Sequence, residues 1–341
     1  MLSTGVVLDP RYAEHDPGPG HPERPARISA LLEAVERLGR ERLAHVAPRA
    51  ATREELLLVH APGHVDRVAA TAGHDFVALD PDTTVSAQSY ATALLAAGGL
   101  LALVDAVMAG EADNGFALVR PPGHHAEADR AMGFCLFNNV AIAARYAQKR
   151  HGLERVAIVD WDVHHGNGSQ HSFAADPSVL YVSTHEYPYY PGTGAAAEVG
   201  EGAGEGFTVN VPLAAGCGDP EYLAVFTEVI EPVLRSFAPQ LVLVSAGFDA
   251  HVRDPLAGMR MTTAGYGLLT RVLLRVAAES AGGRLLAVLE GGYDLEALTG
   301  SVAAVLDELG GERVAEPLPA GSEPAMLARV KEIQRRYWDL P

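Results

Sequence analysis

Acidic and imidazole side chains follow a short apolar run near the middle of the chain. Residues 156–159 are apolar, and Asp160, Asp162 and His164 follow them at intervals of two residues. Side chains at this spacing project to one side of an extended chain. Two carboxylates and an imidazole that point together resist burial unless a cation holds them. The pattern predicts that Asp162 and His164 are metal ligands and that Asp160 orients a neighbouring group; the alternative is a set of solvated loop residues.

Four other apolar runs also end in polar or aromatic residues. They are followed by His124 and His125, by residues 183–185 (Ser-Thr-His), by Asp249 and by Tyr293. Each group has an ordinary explanation as loop, capping or core residues. In open α/β sheets, however, ligands bind at the carboxyl ends of the strands, where all of these groups would meet. Asp249 then becomes a third ligand, and three protein ligands leave metal positions open, as in a catalytic centre.

This set of residues fits the hydrolysis of an amide. A divalent ion with open positions can polarise a carbonyl and lower the pKa of bound water to about 7. Attack by water also requires a base, an acid for the leaving group and a donor to the developing oxyanion. His124 and His125 can transfer the protons, and Tyr293 can donate its hydroxyl. Asp160 and Asn167 are available as partners that fix the tautomers of the two histidines.

The elements that must position these residues alternate between strand and helix patterns. The predicted strands are 5–8, 116–119, 156–159, 179–182, 207–211, 241–245 and 285–289. The predicted helices are 26–38, 53–60, one beginning at Pro62, 86–109, 138–150, 220–236, 263–280, 295–309 and 324–336. The alternation predicts a parallel sheet that helices cover on both faces. A turn is expected after the central strand.

The composition favours one α/β domain over residues 1–341, because 48% of the residues are hydrophobic and no break in composition divides the chain. The net charge of −17 argues against sequence-independent nucleic-acid binding. It could attract cationic substrates, although such a charge more commonly keeps a protein soluble. Cys135 and Cys217 are too few for a disulfide framework or a thiolate metal site.

No membrane association is expected. The longest apolar region, residues 93–109, is interrupted by Gly98, Gly99 and Asp105, and therefore predicts a core helix. The N-terminal residues lack a signal-peptide pattern, which favours a cytoplasmic location.

Five motifs occur in order along the chain: RPPGHHAE at 120–127, MGFCLFNN at 132–139, VDWDVHHGNG at 159–168, SAGFDAH at 245–251 and LEGGY at 289–293. Together they closely resemble the zinc-dependent histone deacetylase superfamily, and in particular its class II branch and the bacterial histone-deacetylase-like amidohydrolases. The resemblance covers about residues 5 to 310. It implies an arginase/deacetylase-like three-layer α/β sandwich with a central, mainly parallel eight-stranded sheet.

The resemblance also implies a role for each polar residue of the site. One Zn²⁺ would be bound by Asp162, His164 and Asp249; with these ligands, Fe²⁺ or Co²⁺ could replace it. The catalytic residues would be His124 backed by Asp160, His125 backed by Asn167, and Tyr293. His125 would act as general base, and Tyr293 would stabilise the transition state. Asn167 stands where class I relatives often have Asp, and an uncharged partner would make His125 less basic.

A narrow acyl-lysine channel and a monovalent cation are further implications of the resemblance. Gly133, Phe134, Tyr190 and Leu256 would line the channel, although ordinary packing would explain the two aromatic residues without the family match. A K⁺ or Na⁺ ion would be held by Asp160, Asp162, His164, Ser183 and Thr184. A second cation site is expected near Phe173, Asp176 and Val179.

Two departures from related families narrow the function. Gly166 and His251 stand where binuclear manganese arginases have carboxylates, which disfavours ureohydrolase activity. Leu256 follows Asp254 and Pro255 at the position where polyamine-selective relatives have a gatekeeping Glu. The leading prediction is therefore a Zn-dependent amidohydrolase that deacetylates acetyl-lysine side chains or similar acyl amines by metal-activated water attack.

Two other functions stay open: an acetylpolyamine or other small-molecule deacetylase and, more remotely, a catalytically silent acyl-lysine binding module. The expected partners are an acetylated lysine peptide or protein, or an acetylated small amine. A homo-oligomer is possible.

Overall fold

A central sheet of eight parallel strands organises the protein in a computed structural model that describes residues 3–39, 43–311 and 313–341. In chain order the strands are β1 (Thr4–Val7), β2 (Leu43–His45), β3 (Val77–Asp80), β4 (Thr83–Val85), β5 (Asn114–Ala117), β6 (Val156–Asp160), β7 (Val179–Glu186), β8 (Thr208–Leu213), β9 (Leu241–Ala246) and β10 (Leu285–Leu289). The central sheet has the order β2-β1-β5-β10-β9-β6-β7-β8, and β3 and β4 form a separate antiparallel hairpin.

Helices cover both faces of the sheet. They are α1 (Ala26–Leu38), α2 (Arg53–Leu56), α3 (Pro62–Ala69), α4 (Ser89–Met108), α5 (Asn139–His151), α6 (Asn167–Phe173), α7 (Asp219–Val225), α8 (Glu231–Phe237), α9 (Thr263–Ser280), α10 (Leu295–Leu309) and α11 (Leu327–Gln334). A π-helical segment, Phe226–Ile230, joins α7 to α8. Helix α4 packs against α5 on one side of the sheet, and α9 packs against α10 on the other. This arrangement confirms the predicted three-layer α/β sandwich.

The central strands are apolar because both of their faces are covered. Every residue of β6, β9 and β10 is buried, and their sequences VAIVD, LVLVSA and LLAVL lack the alternation of a half-exposed strand. The polar residues of the predicted site begin where these runs end, at the carboxyl edge of the sheet.

Helix α4 has the length and hydropathy of a membrane-crossing helix, with a mean hydropathy of 2.0. Within the protein, however, 72% of its apolar window is buried. A core helix has the same properties, and α4 packs against α5, β1 and β5. The structure therefore agrees with the prediction of a core helix.

Several local predictions were wrong or incomplete. The predicted helix 53–60 is helical only over α2, although the capping box between Thr52 and Glu55 is present. Strand β5 lies two residues earlier than predicted, and the predicted tail helix is confined to α11. The turn expected after the central strand leads directly into the short helix α6. Strands β2, β3 and β4 were not predicted.

Candidate active site

Three metal-binding side chains converge at the ends of two paired strands. Asp162 and His164 follow β6, and Asp249 follows β9, which pairs directly with β6. The Nδ1 atom of His164 lies 3.2 Å from Oδ1 of Asp162 and 3.2 Å from Oδ2 of Asp249. One ligand atom from each of the three residues lies within 4.8 Å of the other two. Both carboxylates are buried, so this geometry belongs to the interior and not to a solvated loop.

The chemistry of this cluster fits a divalent cation. Burial would lower the pKa of His164, but the carboxylates of Asp162 and Asp249 outweigh it and raise that pKa to about 10. Among the described residues, no lysine or arginine forms an ion pair with either carboxylate. Buried carboxylates need a positive partner, and two oxygen ligands with one nitrogen ligand suit Zn²⁺. Asp162, His164 and Asp249 can therefore bind a metal and leave positions open for water and substrate.

The glycine pair before Tyr293 is part of the same cluster. The N–H of Gly291 donates to Oδ2 of Asp162 at 2.8 Å. A Cβ atom on Gly291 would lie 2.1 Å from Oδ2 of Asp249. Any larger residue at this position would therefore displace a carboxylate of the cluster.

His124 and His125 lie beside the cluster with different partners. Nδ1 of His124 lies 3.0 Å from Oδ2 of Asp160, and Nδ1 of His125 lies 2.8 Å from Oδ1 of Asn167. The two ring centroids are 4.0 Å apart. Asn167 is the first residue of α6, so this short helix, absent from the sequence prediction, positions the partner of His125.

The surroundings drive the two imidazoles towards opposite protonation states. Burial would lower the pKa of His124, but the negative charges of Asp160, Asp162 and Glu290 outweigh it and raise this pKa to about 10. Burial lowers the pKa of His125, and the positive charges on His124 and His164 lower it further. Neighbouring groups with opposed pKa shifts are suited to separate acid and base roles.

Tyr293 follows the end of β10 and lies next to the two histidines and the metal-binding cluster. Its side chain lines the cleft beside His124, His125 and His164. Burial raises the pKa of the phenol, and the negative charges of Asp249 and Asp162 raise it further, so the hydroxyl stays protonated. Among the described residues the hydroxyl has no hydrogen-bond partner. It is therefore free to donate to a ligand in the cleft.

A cleft of about 430 Å³ opens onto these groups. All four predicted channel residues line it: Gly133, Phe134, Tyr190 and Leu256. The ring of Tyr190 stands perpendicular to that of His125, with 5.1 Å between their centroids. A Cβ atom on Gly133 would lie 2.3 Å from Cδ2 of His125, so only glycine fits at this point of the wall.

The β3–β4 hairpin supports the wall of the cleft that contains Gly133 and Phe134. The N–H of Gly133 donates to Oδ1 of Asp82 at 3.0 Å, and the N–H of Phe134 donates to Oγ1 of Thr83 at 3.0 Å. These bonds hold Phe134 at φ 67°, a conformation that non-glycine residues rarely adopt. Asp82 itself lines the cleft, and neither residue of the hairpin was identified from the sequence.

The residues predicted to hold a monovalent cation lie behind the metal cluster. Asp160 and Ser183 are opposite each other in the β6–β7 ladder, next to Asp162, His164 and Thr184. Asp160 and Ser183 are fully buried, and Oγ1 of Thr184 has no hydrogen-bond partner among the described residues. The second predicted position, near Phe173, Asp176 and Val179, forms a hydrogen-bonded turn in which Arg145 pairs with Asp176. Both cation sites stay predictions.

Three buried acidic residues near the site were not assigned a role from the sequence. The carboxylate of Asp254 accepts the N–H of Tyr293 at 2.7 Å and that of Leu256 at 3.0 Å. Glu290 accepts the N–H groups of residues 123 and 124, and Glu127 accepts the side-chain amide of Asn167. A signal existed for Glu290, because a charged residue directly follows the uninterrupted apolar run LLAVL.

Arg27 was also not assigned a role from the sequence. Its guanidinium is completely buried and donates to the backbone oxygens of Glu290 at 2.6 Å and Gly292 at 2.8 Å. Glu23 pairs with both Arg27 and Arg120. This buried ion network holds the backbone that leads to Tyr293.

The chain is similar to known proteins over most of its length. Residues 21–309 match the histone deacetylase domain. Histone deacetylase 15 of Arabidopsis thaliana is 42% identical over 98% of this chain and 63% of that protein. A probable deacetylase of Archaeoglobus fulgidus is 42% identical over 86% of this chain and 82% of that protein.

A third relative, polyamine deacetylase HDAC10 of Homo sapiens, is 45% identical over 90% of this chain and 47% of that protein. The chain therefore spans under two thirds of the plant relative and about half of the human one. The crystal structure of the HDA15 HD domain matches with a TM-score of 0.92 and 41% identity, and the match covers 99% of this chain and 95% of that one.

Proposed function

Because the chain belongs to the histone deacetylase family, whose relatives at 42–45% identity are deacetylase hydrolases, we propose that it is a Zn²⁺-dependent amidohydrolase acting on acetyl-lysine side chains. The observation that carries the proposal is the convergence on one cleft of a metal-binding cluster, two histidines with opposed pKa shifts and a protonated tyrosine.

Each group has a distinct part in the proposed reaction. A bound divalent ion would polarise the amide carbonyl and lower the pKa of the attacking water. Neutral His125, which lines the cleft, accepts a proton from that water, and its Nδ1 bond to Asn167 leaves the lone pair on Nε2 available for that proton. The hydroxyl of Tyr293 donates to the oxyanion that develops on the carbonyl oxygen. A protonated imidazole of the pair then donates a proton to the leaving amine, which departs as the C–N bond breaks.

Leu256 supports acetyl-lysine over an acetylpolyamine as substrate. It lines the cleft, and its backbone is held by the hydroxyl of Tyr189 at 2.6 Å and by Asp254 at 3.0 Å. An acetylpolyamine carries a further cationic amine, which an apolar residue at this position does not stabilise. Acetylpolyamine hydrolysis is the second candidate, because one relative is named a polyamine deacetylase.

We also propose that a K⁺ or Na⁺ ion stabilises the ends of β6 and β7. The burial of Asp160 and Asp162 in one strand end, together with the unpaired Oγ1 atom of Thr184, supports this assignment. A cation at this position would bind oxygen atoms of buried residues, among them the Oγ1 atom of Thr184.

Hydrolysis of an acetyl-lysine peptide and of acetylputrescine by the same zinc-loaded protein tests the proposal. We expect hydrolysis of the peptide with the higher kcat/KM, loss of that activity with a chelator and its return with Zn²⁺. A higher kcat/KM for acetylputrescine would support the second candidate. Protein that binds one Zn²⁺ and hydrolyses neither substrate would contradict both.

A further inference from the structure

Glu290 makes contacts that the proposed reaction does not use. Its Oε2 atom accepts the N–H of Gly123 at 2.6 Å and the N–H of His124 at 3.1 Å. Its Oε1 atom accepts the hydroxyl of Ser245 at 3.2 Å. The side chain is fully buried. One carboxylate therefore joins the loop after β5 to the ends of β9 and β10, which is possible because β10 lies between β5 and β9.

A buried carboxylate at this position lowers the stability of the folded protein unless its charge is compensated. Among the described residues, no lysine or arginine side chain forms an ion pair with Glu290. Burial raises its pKa to about 7, against the opposing effects of His124 and the backbone N–H groups. Charged side chains that burial destabilises are concentrated at functional sites, where they are kept for their role in function. The hydrogen bonds of Glu290 indicate what its role is.

The two backbone N–H groups that Glu290 binds determine how His124 enters the cleft. The carbonyl oxygen of His124 is held separately by the N–H of Ser169 at 3.1 Å, and its ring by Asp160. Glu290 fixes the peptide that joins Gly123 to His124. The N–H groups of these two consecutive residues can reach one oxygen atom only in one orientation of that peptide. That orientation sets the direction of the His124 side chain and of His125 immediately after it.

We propose that Glu290 is a positioning residue that fixes the backbone of the His124-His125 pair through hydrogen bonds. The inference rests on the proposed function, in which both histidines transfer protons or stabilise charge. Displacement of a reacting group by about 1 Å can reduce a rate about 100-fold. Weakening the contacts of Glu290 should therefore lower kcat more than it changes KM, because metal and substrate binding involve other residues.

Two substitutions separate hydrogen bonding from charge. Glu290→Asp keeps the charge but shortens the side chain by one methylene, so it cannot reach both N–H groups and Ser245. Glu290→Gln keeps the length, and its amide oxygen can accept both N–H groups while its nitrogen donates to the Ser245 hydroxyl. We expect kcat on an acetyl-lysine peptide to fall about 10- to 100-fold in Glu290→Asp and by less than about threefold in Glu290→Gln, with KM and zinc content close to wild type in both.

Failure of the proposed function would appear as a zinc-loaded wild type without activity. Failure of the inference about Glu290 would appear only in the variants of an active wild type. With an active wild type, an unchanged kcat in Glu290→Asp overturns the inference. A Glu290→Gln variant as impaired as Glu290→Asp also overturns it, because the charge would then matter more than the contacts. If either variant does not fold, Ser245→Ala replaces it. Loss of this one hydrogen bond should lower kcat about two- to fivefold at unchanged zinc content, and an unaffected kcat overturns the inference.

Discussion

The Oδ1 atom of Asn167 lies 2.8 Å from Nδ1 of His125, and the amide nitrogen of Asn167 faces the carboxylate of Glu127. Because the nitrogen must donate to Glu127, the oxygen must accept from His125. Nδ1 of His125 therefore carries the hydrogen, and Nε2 is left with a lone pair on the side of the cleft. A neutral side chain thus sets the tautomer that a general base requires.

Replacement of Asn167 by Ala should remove this control of the His125 tautomer. We expect kcat on an acetyl-lysine peptide to fall about 10- to 100-fold, the size of effect seen when the hydrogen-bond partner that orients a metal-ligating histidine is removed, because Asn167 orients His125 in the same way. Zinc content should stay at one ion per chain, because Asn167 is not a ligand. Ser172→Ala on the same helix is the control and should keep wild-type kinetics. A kcat within about twofold of wild type in Asn167→Ala would exclude this role for Asn167.

Replacement of Tyr293 by Phe should preserve metal binding and remove one donor to the developing oxyanion. Loss of such a donor lowers kcat about 10²- to 10³-fold. Steady-state kinetics and metal analysis of the same preparation measure both effects. Tyr187→Phe, which removes a hydroxyl from an exposed tyrosine, provides the control. Near-normal turnover in Tyr293→Phe would remove this residue from the mechanism.

A carboxylate in place of Leu256 should shift selectivity towards cationic substrates. In Leu256→Glu the ratio of kcat/KM for acetylputrescine to that for an acetyl-lysine peptide should rise about fivefold, because an ion pair with the second amine is worth about 1 kcal/mol at a partly exposed site. Leu57→Glu adds the same charge outside the residues that line the cleft and should leave the ratio unchanged. An unaltered ratio in Leu256→Glu would show that this position does not select the substrate.

His60 should make the protein sensitive to acid. Burial and the nearby His64 lower the pKa of His60 to about 3, and its Nε2 atom accepts the N–H of Asn138 at 2.8 Å, a bond that protonation would break. Below about pH 6.5 the unfolded chain binds a proton at this histidine that the folded chain does not. The free energy of unfolding should therefore fall as the pH decreases from about 6.5 towards 3, by about 2 kcal/mol at pH 5 from this group alone.

Urea unfolding at about pH 7 and about pH 5 measures that contribution. The difference in unfolding free energy between the two pH values should be smaller by about 2 kcal/mol in His60→Gln than in wild type. The exposed His74, replaced by Gln, is the control and should leave the difference unchanged. Equal pH dependence in wild type and His60→Gln would show that His60 is not the acid-sensitive group.

The elements that the sequence predicted best have strong local signals. Helices α1, α9 and α10 and strand β10 have the predicted bounds. The first turn of α10 is capped by Asp294, whose side chain accepts the N–H of Ala297, and α1 ends at Gly39 with a positive φ. Such caps and uninterrupted apolar patterns act within a few residues, so they can be recognised without the tertiary structure.

The elements that were not predicted depend on distant contacts. Strand β2 has three residues and exists because it pairs with β1, and β3 and β4 pair only with each other. Helix α6, with the sequence NGSQHSF, contains mostly weak helix formers and is stabilised by packing against β7. None of these segments has a periodic pattern long enough to predict.

The contrast between local sequence signals and distant contacts also applies to the residues of the active site. His124, His125, His164 and Tyr293 line the cleft and could be proposed because they follow the ends of apolar runs, whereas the channel residues were proposed from the family resemblance. The contacts of Glu290 and Asp254 could not, because both carboxylates bind backbone N–H groups, and any residue type carries such a group. Glu290 lies 166 positions from His124, and Asp254 lies 39 positions from Tyr293. Only the folded sheet brings these partners together.

A metal titration tests the central claim most directly. Metal-free wild type and Asp249→Ala would be titrated with Zn²⁺ while bound metal and peptide deacetylation are measured on the same samples. In wild type, activity should rise in proportion to bound zinc and reach its maximum at one ion per chain, and Asp249→Ala should neither retain zinc nor gain activity. Full activity in wild type without stoichiometric divalent metal, or zinc-dependent activity in Asp249→Ala equal to wild type, would contradict a catalytic ion bound by Asp162, His164 and Asp249.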